Sequence, residues 1–365
     1  MRKIVLVTLI MGLSVSLASA QQLIGAKAAG MGGAGVASVT DLAAAYYNPA
    51  ALMQSGVKAG ELKIALGAAY SKPDKLIEAM GKASDPSAFL LDNYANDLTF
   101  TGSLNGIIGL NIKKIGLSVL PMANAYVNKP PLSTGGSVMA GARYDGVLTL
   151  GRTFSVPGIP IGDLDVGVNV KAITDMQGNL TATADIIDPK KSTGLQTIQN
   201  GTGMGFDIGV LTSLSVPMVS TLKVGAVIRD LGESIKYTPK TRNVFIDKNT
   251  GQVTQDAEAV GADFTTTIDS STAIGASAVI PGVGLQVAAD IEMTKTDTNT
   301  HIGIEYPMLM RTLILRAGIA SGPNLGLTTV GAKVNLLLFT LDAVMISDSK
   351  HSDLSSTVVD INIGF

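Results

Sequence analysis

Few side chains in this 365-residue sequence stand at spacings that do covalent or metal chemistry. There is no cysteine, which excludes thiol nucleophiles and thiolate ligands, and the two histidines, His301 and His351, lie far apart without metal-ligand spacing. Asp290 and Glu292 alternate with apolar neighbours and so share one face of a strand. A hydrolase pair needs two carboxyls in contrasting environments; this stretch offers none, and the pair reads as polarity of one face. His301 alternates with Gly303 and Glu305 and reads as a hydrated side chain. Gly30, Gly32 and Gly35 fit G-x-G-x-x-G, yet a dinucleotide fingerprint also needs a preceding strand and an acidic residue about 20 positions on. Both are missing, and the glycines read as permitting close-packed coil. No H-E-x-x-H, P-loop or G-x-S-x-G run occurs. The sequence predicts a protein that is no enzyme and uses neither cofactor nor metal.

Composition narrows the class. Hydrophobic residues make up 46% against 15% charged, with 41 glycines, which excludes a disordered chain. A net charge of −2 without any Lys/Arg stripe excludes a nucleic-acid partner. Arg2 and Lys3, the apolar run Ile4 to Val15 and the small residues Ala18-Ser19-Ala20 read as a signal peptide over 1–20, cleaved near Ala20. Beyond it, no run approaches the roughly 18 apolar residues of a spanning helix.

What recurs instead is alternation with period two. Leu164, Val166, Val168 and Val170 alternate with Asp163, Asp165, Gly167, Asn169 and Lys171; Phe206, Ile208 and Val210 with Gly205, Asp207 and Gly209; Val287, Ala289 and Ile291 with Gln286, Ala288, Asp290 and Glu292. Each stretch has one greasy and one polar face. About fourteen such stretches are predicted, centred near Ile64, Leu104, Val119, Leu148, Val168, Ile208, Ala226, Ala276, Val287, Ile304, Leu315, Val330, Leu341 and Ile361. Links after even-numbered stretches are short, whereas those after odd-numbered ones, such as 71–96, 175–202 and 232–270, are mostly longer. An all-β transmembrane antiparallel barrel with short periplasmic turns has that asymmetry. Its greasy face meets outer-membrane lipids. Asp207, Arg229, Asp290, Glu292, Glu305, Arg316, Lys333 and Asp342 then face the lumen, hydrated or paired. The expected organisation is a plug over 21–58 and a barrel over 59–365, in the outer membrane of a diderm bacterium.

The segment 25–52, GAKAAGMGGAGVASVTDLAAAYYNPAAL, is small, Gly/Ala-rich and ends in Asn48-Pro49-Ala50. With Gly30, Met31, Gly32, Gly33, Asp41 and Tyr47 it resembles the N-terminal hatch of the FadL/TodX outer-membrane transporters of hydrophobic compounds. It is also similar to the opening of PorV-type outer-membrane proteins of a secretion system. The first resemblance implies a fourteen-stranded barrel plugged by this segment, ligand capture among outer loops, lateral exit through a gap in the wall, and gating residues at Gly30, Gly32, Gly33, Asn48, Pro49 and Ala50. Passive uptake of long-chain fatty acids or other hydrophobic small molecules would follow. The second implies a structural or adaptor barrel docking a protein of a secretion or conjugation system.

In the first long loop, Leu76, Ile77 and Met80 stand at helical spacing and Phe89, Leu90 and Leu91 follow, a candidate apolar ligand groove or a short helix packing on the rim. The segments 175–202 and 232–270 are Thr/Asp/Asn-rich and read as solvated loops. Val359, Ile361, Ile363 and terminal Phe365 resemble the signal that barrel-assembly machinery reads. Removing Phe365 is expected to lower the yield of heat-modifiable barrel in the outer membrane; an unchanged yield refutes that assignment.

Overall fold

The computed structural model describes residues 23–54, 60–71, 86–112, 114–155, 161–216, 219–336, 339–351 and 355–364. Strands β1 (Gly60–Tyr70), β2 (Leu98–Ile112), β3 (Ile115–Lys129), β4 (Gly136–Phe154), β5 (Ile161–Ala184), β6 (Lys191–Val216) and β7 (Val219–Asp247) follow one another around half of a cylinder. Three short strands, β8 (Gln252–Gln255), β9 (Ala259–Val260) and β10 (Phe264–Thr267), pair back onto the outer part of β7. Strands β11 (Ser271–Val279), β12 (Gln286–Met293), β13 (Thr298–Met308), β14 (Leu313–Ser321), β15 (Gly326–Asn335), β16 (Phe339–Asp348) and β17 (Ser355–Gly364) complete it. Pairing is antiparallel throughout, β7 continues into β11, and β17 returns to β1 with Ile361 opposite Ile64. The result is a closed fourteen-strand barrel, and each predicted stretch centre falls in its own strand.

Closure follows from the solvent. Hydrocarbon offers no partner to a backbone N–H or C=O, so a sheet in lipid must have no free edge. The period-two pattern then decides the facing. Ile64, Ile208, Ile228, Ile304, Leu315 and Ile361 are exposed on the outside, whereas Lys63, Asp207, Asp290, Arg316 and Asp342 are buried inside.

The structure corrects the loop reading of 175–202 and 232–270. β5, β6 and β7 run for 24, 26 and 29 residues and meet in an unbroken ladder from Asn169↔Asp207 to Ala184↔Ser192, then from Met204↔Ser234 to Lys191↔Asp247. Beyond the lipid neither sheet face has to be apolar, so polar composition does not argue against a strand there. A second feature appears on this tall wall. In β5 the buried residues are Asp165, Gly167, Asn169, Lys171, Ile173 and Asp175, then, past Gly178, Leu180 and Ala182. The register does not slip between these groups. The pleat face that meets lipid lower down therefore carries the buried cluster higher up.

Ile304→Arg, at the outward middle of β13, is expected to cost about 2–4 kcal/mol, the penalty of an arginine at the lipid midplane. Denaturant titration of protein refolded in vesicles measures it.

Candidate functional site

The segment 23–53 threads the lumen as short helical pieces: α1 (Ala26–Gly30), α2 (Ala44–Tyr47) and a 3₁₀ turn at Pro49–Met53. The coil expected here is partly helical because alanine is the best helix former and fills little space. Nearly every side chain is buried. Such short pieces leave many backbone groups without internal partners, and the barrel wall supplies them. Asp290 accepts from the N–H groups of Gly35 (2.6 Å) and Val36 (2.8 Å), Asp360 from Ala26 (2.7 Å), and Glu61 from Leu42 (3.1 Å). Asn169 donates to the Ala45 carbonyl at 2.7 Å. Lys63, fully buried, bridges Asp41 of the segment (3.0 Å) and Asp360 of β17 (2.6 Å). Burial would raise the Asp41 pKa, but the Lys63 ammonium outweighs it and holds the carboxyl below its usual value.

The glycines at 30–33 meet the opposite wall. The Thr329 hydroxyl donates to the Gly30 carbonyl and accepts from the Gly32 N–H, both at 3.1 Å. Gly32 and Gly33 have φ of +67° and +92°, and a Cβ on Gly32 would stand 2.5 Å from the Ile319 carbonyl oxygen. Left-handed backbone and contact with the wall both demand glycine there. His301, read from sequence as hydrated, is buried, with Nδ1 2.7 Å from the Gly32 carbonyl oxygen. A carbonyl can only accept, so the ring carries its proton on Nδ1.

Asn48-Pro49-Ala50 is the other anchor. Asn48 has extended backbone, as a residue before proline must. Its side-chain oxygen caps the Ala50 N–H (3.0 Å), while its amide donates to the carbonyls of Val36 and of Val210 in β6, both at 3.1 Å. The wall is glycine where this motif docks: a Cβ on Gly167 would lie 2.3 Å from the Pro49 carbonyl carbon, and one on Gly209 2.0 Å from the Asn48 oxygen. The gating residues inferred from resemblance thus lie against two walls, Gly30, Gly32 and Gly33 on β13–β15 and Asn48 to Ala50 on β5–β6. Sequence reasoning missed Asp290, His301, Asn169 and Thr329. Only their inward parity marked them.

Next to the segment is a layer of ion pairs. Arg143 binds Asp145 and Glu233, each at 2.7 Å; Lys171 binds Asp207 (3.0 Å), Glu233 (2.9 Å) and Asp230. A double bulge between β6 and β7, with Asp230 at φ +61°, turns the Asp230 N–H onto Asp207 at 2.9 Å. Arg229 pairs with Glu292 and lies over the Tyr46 ring at 5.7 Å. Burial pushes the Tyr46 phenol up to about 12. A cavity of about 10 Å³ lined by Tyr46, Tyr47, Arg229, Asp290 and His301 has room for about one water.

The β2–β3 ladder is also interrupted near this layer. β2 and β3 pair from Leu98↔Lys129 to Asn105↔Met122 and again from Ile108↔Val119, but not at Gly106–Ile107 opposite Leu120–Pro121. Pro121 has no N–H to give a ladder. Behind the interruption Ile107 and Leu120 pack on Leu42 and Ala45 of the lumenal segment, with Tyr46 alongside.

Of the loop residues, Leu76, Ile77 and Met80, together with the Phe89 side chain, lie outside the described residues, as do the leader and Phe365. Leu90, in helix α3 (Pro86–Asp92), is fully buried against Leu98, Phe100, Val127, Val138, Leu180 and Val244, and Leu91 is partly buried beside it. Lys129 holds the chain after α3 by donating to the carbonyls of Tyr94 (2.9 Å) and Asn96 (2.8 Å).

No protein-family profile and no curated protein sequence matches the chain. Solved structures do. The toluene transporter TodX of P. putida superposes with a TM-score of 0.55 at 12% identity, over 93% of this chain and 98% of that one. The toluene transporter TbuX of Ralstonia pickettii gives 0.56 at 14%, over 93% and 98%. A Pseudomonas aeruginosa FadL homologue gives 0.54 at 11%, over 93% and 97%. The chain has the FadL/TodX-type outer-membrane barrel fold.

Asn48→Ala leaves the carbonyls of Val36 and Val210 and the Ala50 N–H without their partner, at about 1–3 kcal/mol for each buried group orphaned. The expected outcome is an intact barrel with a loosened lumenal segment, read as a higher single-channel conductance in planar bilayers.

Proposed function

We propose that this barrel takes up small hydrophobic compounds passively across the outer membrane, with residues 23–53 as its plug and the β2–β3 interruption as its lateral exit. The observation that carries this reading is the juxtaposition of a charged layer with a seam in the wall. An apolar molecule reaching the Arg143–Glu233–Lys171–Asp207 network would have to separate buried ion pairs, and orphaning one partner costs about 3–5 kcal/mol. At Gly106–Ile107 and Leu120–Pro121 the apolar side chains of Ile107 and Leu120 stand in the way out, packed on Leu42 and Ala45. Leaving through that seam puts the solute into acyl chains, where its partition free energy is favourable. The plug residues Leu42 and Ala45 behind the seam act as the shutter, and their displacement opens it.

The apolar cluster under α3 suits capture on the outer side, with Leu76, Ile77, Met80 and Phe89 to Leu91 as the first contacts. Monoaromatic hydrocarbons and long-chain fatty acids are both substrates to test, because the plug and seam discriminate against charge along the path and not between apolar shapes. Barrel-assembly machinery, acting on Phe365, inserts the protein.

The chain has no native cysteine, so Ile107→Cys with Leu120→Cys creates one disulfide across the seam. Cells carrying the oxidised variant are expected to lose uptake of radiolabelled toluene or oleate relative to the parent protein, and reductant restores it. Uptake that is the same with and without the parent protein, together with co-purification of a protein partner, supports the adaptor reading instead.

A further inference from the structure

The periplasmic tips on the low side of the barrel are apolar. The turn 280–285 exposes Ile280 and Val283, the turn after β13 exposes Leu309 and Met310 at 70% and 101%, and Leu336 is half-exposed after β15. Neither the two turns nor Leu336 contributes an acidic side chain, whereas the outer loops carry Asp185, Asp188, Asp256, Glu258, Asp263, Asp269 and Asp297. Leu309, Met310 and Arg311 hold φ of +47°, +55° and +69° in succession. Bulky residues pay for left-handed backbone, and here that backbone turns two apolar side chains outward.

Strand length supplies the reason. β11 and β12 have only 9 and 8 residues. At about 3.3 Å per residue and a 45° tilt they cover about 19–21 Å, less than the ~25 Å apolar band of an outer-membrane barrel. On β13 the outward column Ile302, Ile304, Tyr306 and Met308 covers about 16 Å on the same reckoning. The column continues without a polar break into Leu309 and Met310.

We propose that these turns are immersed in the inner leaflet of the outer membrane, completing with their own side chains an apolar belt that the strands leave short. The partner is phospholipid: acyl chains against Val283, Leu309 and Met310, and headgroup phosphate at the Arg311 guanidinium, which ends the tip. The lipid-facing surface of β13–β16 runs directly into this patch, so no second interface is needed to cover it. The inference stands apart from whatever the barrel carries.

The sequence has no tryptophan, so Met310→Trp and Val283→Trp, made separately, each place a single fluorophore at a tip. Met345→Trp on the lipid-facing wall and Ile187→Trp on the outer β5–β6 hairpin give the immersed and aqueous references. Each protein is refolded into phosphatidylethanolamine–phosphatidylcholine vesicles with or without brominated acyl chains, and folding is checked by gel shift. The two tip variants are expected to lose emission with brominated chains as Met345→Trp does, to emit blue-shifted light, and to resist aqueous iodide. Iodide quenching like that of Ile187→Trp, with no bromine effect, overturns the proposal. Insensitivity to both quenchers also overturns it, since the tips are then covered by protein.

Discussion

A backbone amide facing hydrocarbon has no water to bond, and the rest of this molecule follows from that. The sheet must close, and because every pairing here is antiparallel the strand count is even and both ends of the barrel lie on one side. Closure in turn fixes parity: once Ile64 and Ile361 face lipid, Lys63 and Asp360 on these neighbouring strands both have to face the lumen. Acids and bases that would be ruinous outside become the means of holding something inside. The lapse in the β2–β3 ladder at Pro121 is backed by apolar side chains of the lumenal segment.

The lumenal segment is an unusual object to stabilise. Its helices are four and five residues long, too short to persist alone. It is ordered because Asp290, Asp360, Glu61, Asn169, Thr329 and His301 each take over a backbone group that a longer helix would have satisfied itself. Removing any of them leaves a buried group without a partner, so the segment is held by many moderate bonds in place of one strong lock.

How much of this could be read from the sequence depends on where lipid imposes a pattern. All fourteen strands were legible because each must present apolar residues at every second position. Above the membrane that requirement lapses, and the outer halves of β5, β6 and β7, with Thr181, Thr183, Asn179 and Gln199, looked like loops. The reversal of the buried face past Gly178 left no mark either, because it changes which side is covered and not the alternation itself. Inside the barrel, Asp290 and His301 were visible as inward polarity, but their partners are backbone groups hundreds of positions away in the chain, and a backbone group has no signature in composition. Asn48-Pro49-Ala50 was legible as a turn. That Gly167 and Gly209 open a berth for it was not.

The wall is also lopsided. β5–β7 continue 24–29 residues, whereas β11–β17 stop at 8–11. Seen from the medium, three of the fourteen strands form a palisade, and the half of the rim built by β11–β17 is low. The approach to the opening is therefore uneven, a low sill on one bank and a cliff on the other.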